Sequence, residues 1–170
     1  ELDIQVTIRP HPMTIRHHKK KLAMLNNLYQ HKENFCMQIN IHNRDILFQS
    51  DMLITDWSGI GIEYGIGLKK PIIYIDTPKK IHNPDADKIN LTPIETEIRS
   101  EIGKIVKIDD LSNIESYIYE LLKKYDEDKI IETKEKYLFA KKNSLNKSAK
   151  RIISIANANQ SRNNKNKLFD

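Results

Sequence analysis

The residues of this chain that could do chemistry fall into two short segments. The first is "IRPHP", in which Arg9 and His11 alternate with Pro10 and Pro12. A guanidinium binds phosphate oxygens through paired N–H donors, and an imidazole supplies either a positive charge or a proton. Because the prolines restrict the backbone, both side chains would lose little freedom on binding a ligand. The segment predicts a phosphate clamp; the alternative is a structural turn with an exposed histidine.

The second segment is "LITDWSGIGIEYG", which follows an apolar run and holds three of the five glycines of the chain, Gly59, Gly61 and Gly65. Asp56 ends the strand-like run, and Ser58 is placed to act as the N-cap of a following helix. Gly59 and Gly61 lack a Cβ where a phosphate would approach the first backbone N–H groups. The segment therefore predicts an anion site at a helix N-terminus.

A purely structural interpretation of this second segment stays open. The glycines would then only allow a helix to pack closely on a sheet, and Asp56 would cap a turn. Glu63, one helical turn further on, is placed to bind a ribose hydroxyl, although it could equally be an ordinary exposed helix residue. The segment is neither G-x-G-x-x-G nor a P-loop, so the pattern by itself is weak.

The elements that position these residues alternate between strand-like and helix-like periods. Near-continuous apolar strands separated by helices predict an α/β fold with a doubly wound parallel sheet and extra C-terminal helices. In such a sheet the two segments would converge at the carboxyl ends of the strands. The predicted strands are 3–8, 35–39, 52–55, 71–76 and 104–108; the predicted helices are 14–30, 60–68, 109–125 and one or two within 129–157, with a short helix or turn at 44–49 and a long loop with at most one short helix over 77–104.

These motifs resemble the CDP-glycerol glycerophosphotransferase family, which includes the teichoic-acid-type primases and polymerases. The likeness rests on "RPHP" followed by "SDMLITDWSG" and "EYGIGLKKPIIYID", and it covers about residues 4–78 with weaker support to 125. It implies the nucleotide-binding C-terminal half of a GT-B enzyme. By this resemblance Arg9 and His11 would contact the donor diphosphate, and Asp56 and Ser58 would form the phosphate-binding element.

Three positions depart from the family pattern. Trp57 replaces a tyrosine, Gly59 replaces a second serine and Glu63 replaces an aspartate. These changes favour the related alternative of a UDP-sugar 2-epimerase or GT-B glycosyltransferase nucleotide-binding domain. A third interpretation is a nucleotide-free α/β interaction module of the receiver type. Base selectivity separates the first two, and the third predicts no nucleotide affinity.

The leading interpretation is a transferase domain that binds a CDP-activated polyol phosphate, such as CDP-glycerol, and supports its transfer to a cell-surface polymer. Residues 1–157 would form the donor-binding domain and 158–170 a disordered basic tail. The family's other catalytic histidine lies in an N-terminal domain that this chain does not contain, so the chain alone is expected to bind nucleotide without turnover. No metal or other cofactor is predicted, since the "DAD" at 85–87 lies in a loop without partner acids.

The charge pattern predicts the partners. The chain carries a net charge of +5, and residues 134–170 hold ten Lys or Arg against two acidic residues. This end is expected to contact anionic lipid at the inner membrane face, or an anionic polymer; the alternative is a solvated basic helix and a frayed terminus. No aromatic stacking platform interleaves the basic residues, which argues against the binding of single-stranded nucleic acid.

The apolar content predicts where the protein resides. At 170 residues and 39% hydrophobic content the chain can bury one core, and no apolar run is long enough for a membrane span. Cys36 is the only cysteine, and its apolar neighbours predict a buried side chain in a reducing compartment. The expected location is the cytoplasm, with peripheral contact to the membrane.

Overall fold

The computed structural model describes residues 3–40, 44–79, 83, 85, 88–138 and 143–166, with side chains described to residue 158. Strands and helices alternate along the first two thirds of the chain, as the sequence predicts. The strands are β1 (Val6–Ile8), β2 (Phe35–Met37), β3 (Leu53–Thr55), β4 (Ile72–Asp76) and β5 (Lys104–Lys107). The helices are α1 (Pro12–His17), α2 (Lys19–Tyr29), α3 (Asp45–Gln49), α4 (Ile60–Ile62, continued by a π-helix over Glu63–Leu68), α5 (Ile94–Ile102), a 3₁₀ helix (Ile108–Asn113), α6 (Ile114–Lys123), α7 (Glu127–Tyr137) and α8 (Ser144–Asn166).

All strand pairs among the described residues are parallel, which confirms the predicted α/β class. β1 pairs with β2, and β3, β4 and β5 form a three-stranded sheet in that order. Each connection within the larger sheet contains a helix, as parallel strands require. Hydrogen bonds group the five described strands into two sheets and do not join them into one. The predicted C-terminal helices are present as α6, α7 and α8.

The core lies where the helical segment Ile60–Leu68 packs on β4. Tyr64, Ile72 and Tyr74 are at most 1% exposed and belong to one buried cluster that also includes residues of α5 and α7. Gly61 and Gly65 face β4: a Cβ on Gly61 would lie 2.7 Å from the Tyr74 ring, and one on Gly65 would lie 2.7 Å from Ile72 Cδ1. These two glycines therefore allow the helix to approach the sheet, as the structural alternative proposed.

Two expectations about local structure were wrong. The single helix expected over 14–30 is broken at His18, which has non-helical backbone angles and separates α1 from α2. Cys36 is exposed, because the short β2 leaves this face of the strand uncovered. The short helix anticipated within 77–104 is α5, whose Ile98 and Ile102 are buried in the core.

Side-chain hydrogen bonds hold α7 against α5. α7 contacts α5 through Glu101, whose carboxylate accepts hydrogen bonds from Lys136 Nζ at 2.6 Å and from the Tyr137 hydroxyl at 2.9 Å. These hydrogen bonds lower the pKa of Glu101 below its usual value.

The predicted domain boundary at residue 157 falls inside α8, and residues 167–170 of the predicted tail lie outside the described residues. Within the described chain, no helix combines the length and apolar character that a membrane span requires.

The glycine contacts make a prediction about stability. Gly61→Ala should lower the free energy of unfolding by about 1–3 kcal/mol, since the new methyl group would overlap the fully buried Tyr74 ring. Gly67→Ala is the matched control, because a Cβ there meets no atom within 4 Å. Chemical denaturation of the two variants measures the difference. Equal stabilities would show that the helix does not depend on this close approach.

Candidate functional site

A cavity of about 1430 Å³ lies where the carboxyl ends of β1 and β3 meet the segment that follows β4. Both segments singled out from the sequence line it, as expected for the carboxyl edge of parallel strands. The first contributes Arg9 and His11, and the second contributes Asp56, Ser58 and Gly59. The fold thus brings five of the six predicted site residues to one cavity.

His11 is held by the start of α1. It is the N-cap residue of that helix, and its Nδ1 accepts a hydrogen bond from the Met13 N–H at 3.2 Å, while Pro12 occupies the first helical turn. A ring nitrogen that accepts a hydrogen bond carries no proton, so in this arrangement the neutral ring carries its proton on Nε2. In this tautomer Nε2–H is a hydrogen-bond donor that is available to a ligand in the cavity that His11 lines.

The lining of this cavity contains more basic than acidic side chains. Arg9 is half-buried, and Lys79 and two further histidines, His17 and His18, join His11 at the same cavity. Lys79 donates a hydrogen bond to Thr96 Oγ1 at 2.9 Å, which ties the segment after β4 to the first turn of α5. The acidic residues in the lining are Asp56 and Glu95. The arrangement suits an anionic ligand with hydroxyl groups.

The turn after β3 presents backbone donors to the cavity. The first N–H groups of this helical segment that find a backbone acceptor are those of Gly61, Ile62 and Glu63, which bond to the carbonyls of Ser58 and Gly59. The N–H groups of Ser58, Gly59 and Ile60 precede this ladder, and all three residues line the cavity. A Cβ on Gly59 would meet no atom within 4 Å, so the space above its backbone is open. Such consecutive donors at a helix start suit a phosphate.

Three details differ from the expectations for this segment. The N-cap residue of α4 is Gly59, and no side chain caps the helix, so the capping role predicted for Ser58 is wrong. Gly61 is buried against Tyr74 and does not line the cavity. Glu63 is exposed on the π-helix and does not line the cavity either. The structure therefore gives Glu63 no position from which to bind a ribose in this cavity.

A second, smaller cavity of about 630 Å³ adjoins the first, and Trp57, Thr77, Pro78 and Lys79 line both. Asp76, the last residue of β4, lines this smaller cavity and supplies a carboxylate at the sheet edge. Asp76 was not among the site residues predicted from the sequence. The sequence pattern that pointed to Asp56, an acidic residue at the end of an apolar strand, also applies to Asp76.

The described residues contain no cluster of three or more His, Cys, Asp or Glu side chains that could hold a metal ion. Of the "DAD" at 85–87, only Asp85 is among the described residues, and it forms a salt bridge with Lys88 at 2.7 Å.

A family model for CDP-glycerol:poly(glycerophosphate) glycerophosphotransferase matches residues 1–84. Over this stretch, which is just under half of the chain, the protein is similar to that family. The match contains both cavity-lining segments, and it confirms the resemblance inferred from the motifs. Comparisons with curated proteins and with solved structures gave no match. The match supports a glycerophosphotransferase-type transferase, and it ends before α5 and the C-terminal helices.

The cap on α1 allows the two roles of His11 to be separated. His11→Ala should lower the free energy of unfolding by about 1 kcal/mol, because the Met13 N–H loses its acceptor. His11→Asn should keep that stability, since asparagine is among the best N-cap residues, yet both variants should bind inorganic diphosphate more weakly than the parent chain. Thermal unfolding and calorimetry measure the two effects. If His11→Asn bound diphosphate normally, the imidazole would serve only as a cap.

Proposed function

We propose that this chain is the donor-binding domain of a glycerophosphotransferase, which holds a CDP-activated polyol phosphate such as CDP-glycerol for transfer to a cell-surface polymer. The observation that carries the proposal is the single cavity that joins Arg9 and His11 to the turn formed by Asp56, Ser58 and Gly59. The family match covers both parts of that cavity. In this proposal the diphosphate lies between the two segments.

The proposed reaction is a displacement at phosphorus. An acceptor hydroxyl attacks the β-phosphorus, forms a new P–O bond and loses its proton, while the bond between the β-phosphorus and the bridging oxygen breaks and releases CMP. Charge accumulates on the phosphoryl oxygens and on the leaving phosphate, so catalysis is mainly positioning and charge stabilisation. Arg9, the Nε2–H of His11 and the N–H groups after β3 would supply that stabilisation.

The acceptor side of the reaction would lie outside this chain. The proposed arrangement is a GT-B enzyme in which a second domain brings the acceptor and a further catalytic histidine to the opposite side of the donor. The 170-residue chain is then expected to bind nucleotide but not to transfer the polyol phosphate.

A UDP-sugar epimerase or sugar transferase on the same fold is the second candidate. The observation in its favour is the replacement of the family's second serine by Gly59, which leaves open space at the turn. The exposed position of Glu63, away from the cavity, removes one of the features that favoured it. Cytosine and uracil present different donors and acceptors on the same edge, so base selectivity distinguishes the two candidates.

A matched pair of glycine variants tests the proposal. Gly59 has helical backbone angles and room for a Cβ, so Gly59→Ala should fold normally. The added methyl group should nevertheless obstruct a phosphate that approaches the N–H groups, and the affinity for CDP-glycerol and CMP should fall about tenfold to a hundredfold. Gly67→Ala, at an open site away from the cavity, should bind like the parent chain. Calorimetric titration of all three proteins provides the measurement.

The same titrations with UDP-N-acetylglucosamine and UMP decide between the candidates. Selective cytidine binding that weakens in Gly59→Ala alone supports the donor-site proposal, whereas uridine selectivity favours the sugar-nucleotide alternative. Nucleotide binding that is equal in the parent and Gly59→Ala would show that the phosphate lies elsewhere. If the chain bound none of the four nucleotides, even when joined to the proposed second domain, the interaction-module interpretation would be supported.

We also propose that α8 contacts anionic lipid at the membrane surface. Lys147, Lys150 and Arg151 project from one side of this helix. Leu145 and Ile152 lie on the other side and are 86% and 67% exposed. A helix with one basic and one apolar face suits the interface of an anionic bilayer. Lys141 and Lys142, which belong to the same basic stretch, lie outside the described residues.

Vesicle binding tests this part of the proposal. Replacement of Lys147, Lys150 and Arg151 together by glutamine should weaken binding to phosphatidylglycerol-containing vesicles by roughly 100-fold at low salt, since each surface cation contributes about 1 kcal/mol. A triple glutamine variant at Lys19–Lys21 on α2 removes the same charge elsewhere and should bind nearly as well as the parent chain. Sedimentation with vesicles measures both. Equal loss in the two variants would mean that net charge, and not α8, determines binding.

A further inference from the structure

Arg99 is a buried residue that contacts side chains lining the candidate site. It belongs to α5 and is only 3% exposed, which is unusual for a charged residue. Its guanidinium carbon lies 3.7 Å from the centre of the Trp57 ring and 5.0 Å from the centre of the Tyr74 ring. Its Nη1 lies 3.4 Å from Asp76 Oδ1. Arg99 thus contacts two residues that line the cavities, Trp57 and Asp76.

Trp57 joins two segments of the site. It stands between Asp56 and Ser58 in the turn after β3, and its Nε1–H donates a hydrogen bond to the Thr77 carbonyl, just after β4, at 2.7 Å. The indole therefore ties the turn to the end of the neighbouring strand, and the guanidinium of Arg99 lies over its ring. A planar guanidinium stacks on an indole face in a way that a lysine ammonium does not.

The remaining contacts of Arg99 do not explain its presence as a stabilising residue. Its Nε and Nη2 are buried and have no hydrogen-bond partner among the described residues, and its one ion pair is long and partly exposed to solvent. Buried donors without acceptors destabilise a fold, and an apolar side chain of similar volume is often equally or more stable in such a place. The position of the guanidinium over the Trp57 ring, 3.7 Å from its centre, is the contact that suits a planar cation.

We propose that Arg99 is a positioning residue, which holds the Trp57 ring and the Asp76 carboxylate so that the Asp56–Ser58 turn keeps one orientation toward the ligand. The effect on ligand binding rests on the proposed function, whereas the effect on Trp57 does not. Arg99 itself lines neither cavity and would act only through these neighbours.

Trp57 provides a direct readout, because it is the only tryptophan in the chain. Its fluorescence and its quenching by acrylamide report how firmly the indole is held. In Arg99→Met the quenching constant should rise and CMP affinity should fall roughly tenfold to a hundredfold, while the melting temperature stays the same or rises. Arg99→Lys keeps the charge but not the stacked plane, so its quenching should resemble that of Arg99→Met.

A stability control separates positioning from a merely structural role. Ile98→Val alters a fully buried neighbour on the same helix and should lower the melting temperature without changing Trp57 quenching or CMP affinity. The proposal would be overturned if the Arg99 variants kept the quenching and affinity of the parent chain. It would also be overturned if Ile98→Val reduced affinity as much as they do.

Different results would contradict the proposed function and the positioning role of Arg99. If the parent chain bound no nucleotide, the proposed function would fail, and the quenching comparison would still decide whether Arg99 holds Trp57. If the parent chain and Arg99→Met bound CMP equally well, the proposed positioning role of Arg99 would be wrong, and the proposal of a donor-binding site would be unaffected.

Discussion

The close packing of the Ile60–Leu68 segment on β4 is the contact on which the rest of this structure depends. It is possible because Gly61 and Gly65 carry no Cβ at points where one would lie 2.7 Å from a buried side chain. Interiors packed at this density do not yield to an added methyl group without rearrangement. The packing determines where the helix begins, and therefore where the N–H groups of the preceding turn point.

The glycines at positions 59, 61 and 65 have two different roles. Gly61 and Gly65 are buried and belong to the core, whereas Gly59 is exposed beside the large cavity and has open space around it. A core glycine and a ligand-facing glycine look identical in a sequence. The close spacing of the glycines therefore reflects two requirements that meet at one turn: contact with the sheet on one side and access for a ligand on the other.

Buried polar groups on the sheet side of the site form a second layer behind it. Burial raises the pKa of the Tyr74 phenol to about 12, although the nearby Arg99 charge acts in the opposite direction, so this hydroxyl stays protonated at neutral pH. That hydroxyl and two Arg99 nitrogens have no hydrogen-bond partner among the described residues. Buried Arg99 donors without acceptors are destabilising, which fits a residue that serves the position of Trp57 more than the stability of the core.

The sequence by itself determined the parallel α/β class, the strands that end at Ile8, Thr55 and Asp76, and the meeting of the "RPHP" and "TDWSG" segments. Those features follow from local periodicity and from the rule that parallel strands end at one edge. Only the tertiary structure decided that Gly61 packs against the Tyr74 ring, that Glu63 does not line the cavity and that the Arg99 guanidinium lies over the Trp57 ring. These facts depend on which residues distant in sequence come within contact distance, here 42 positions apart for Trp57 and Arg99. No local pattern records such distances, because burial and stacking arise only when separate elements pack together.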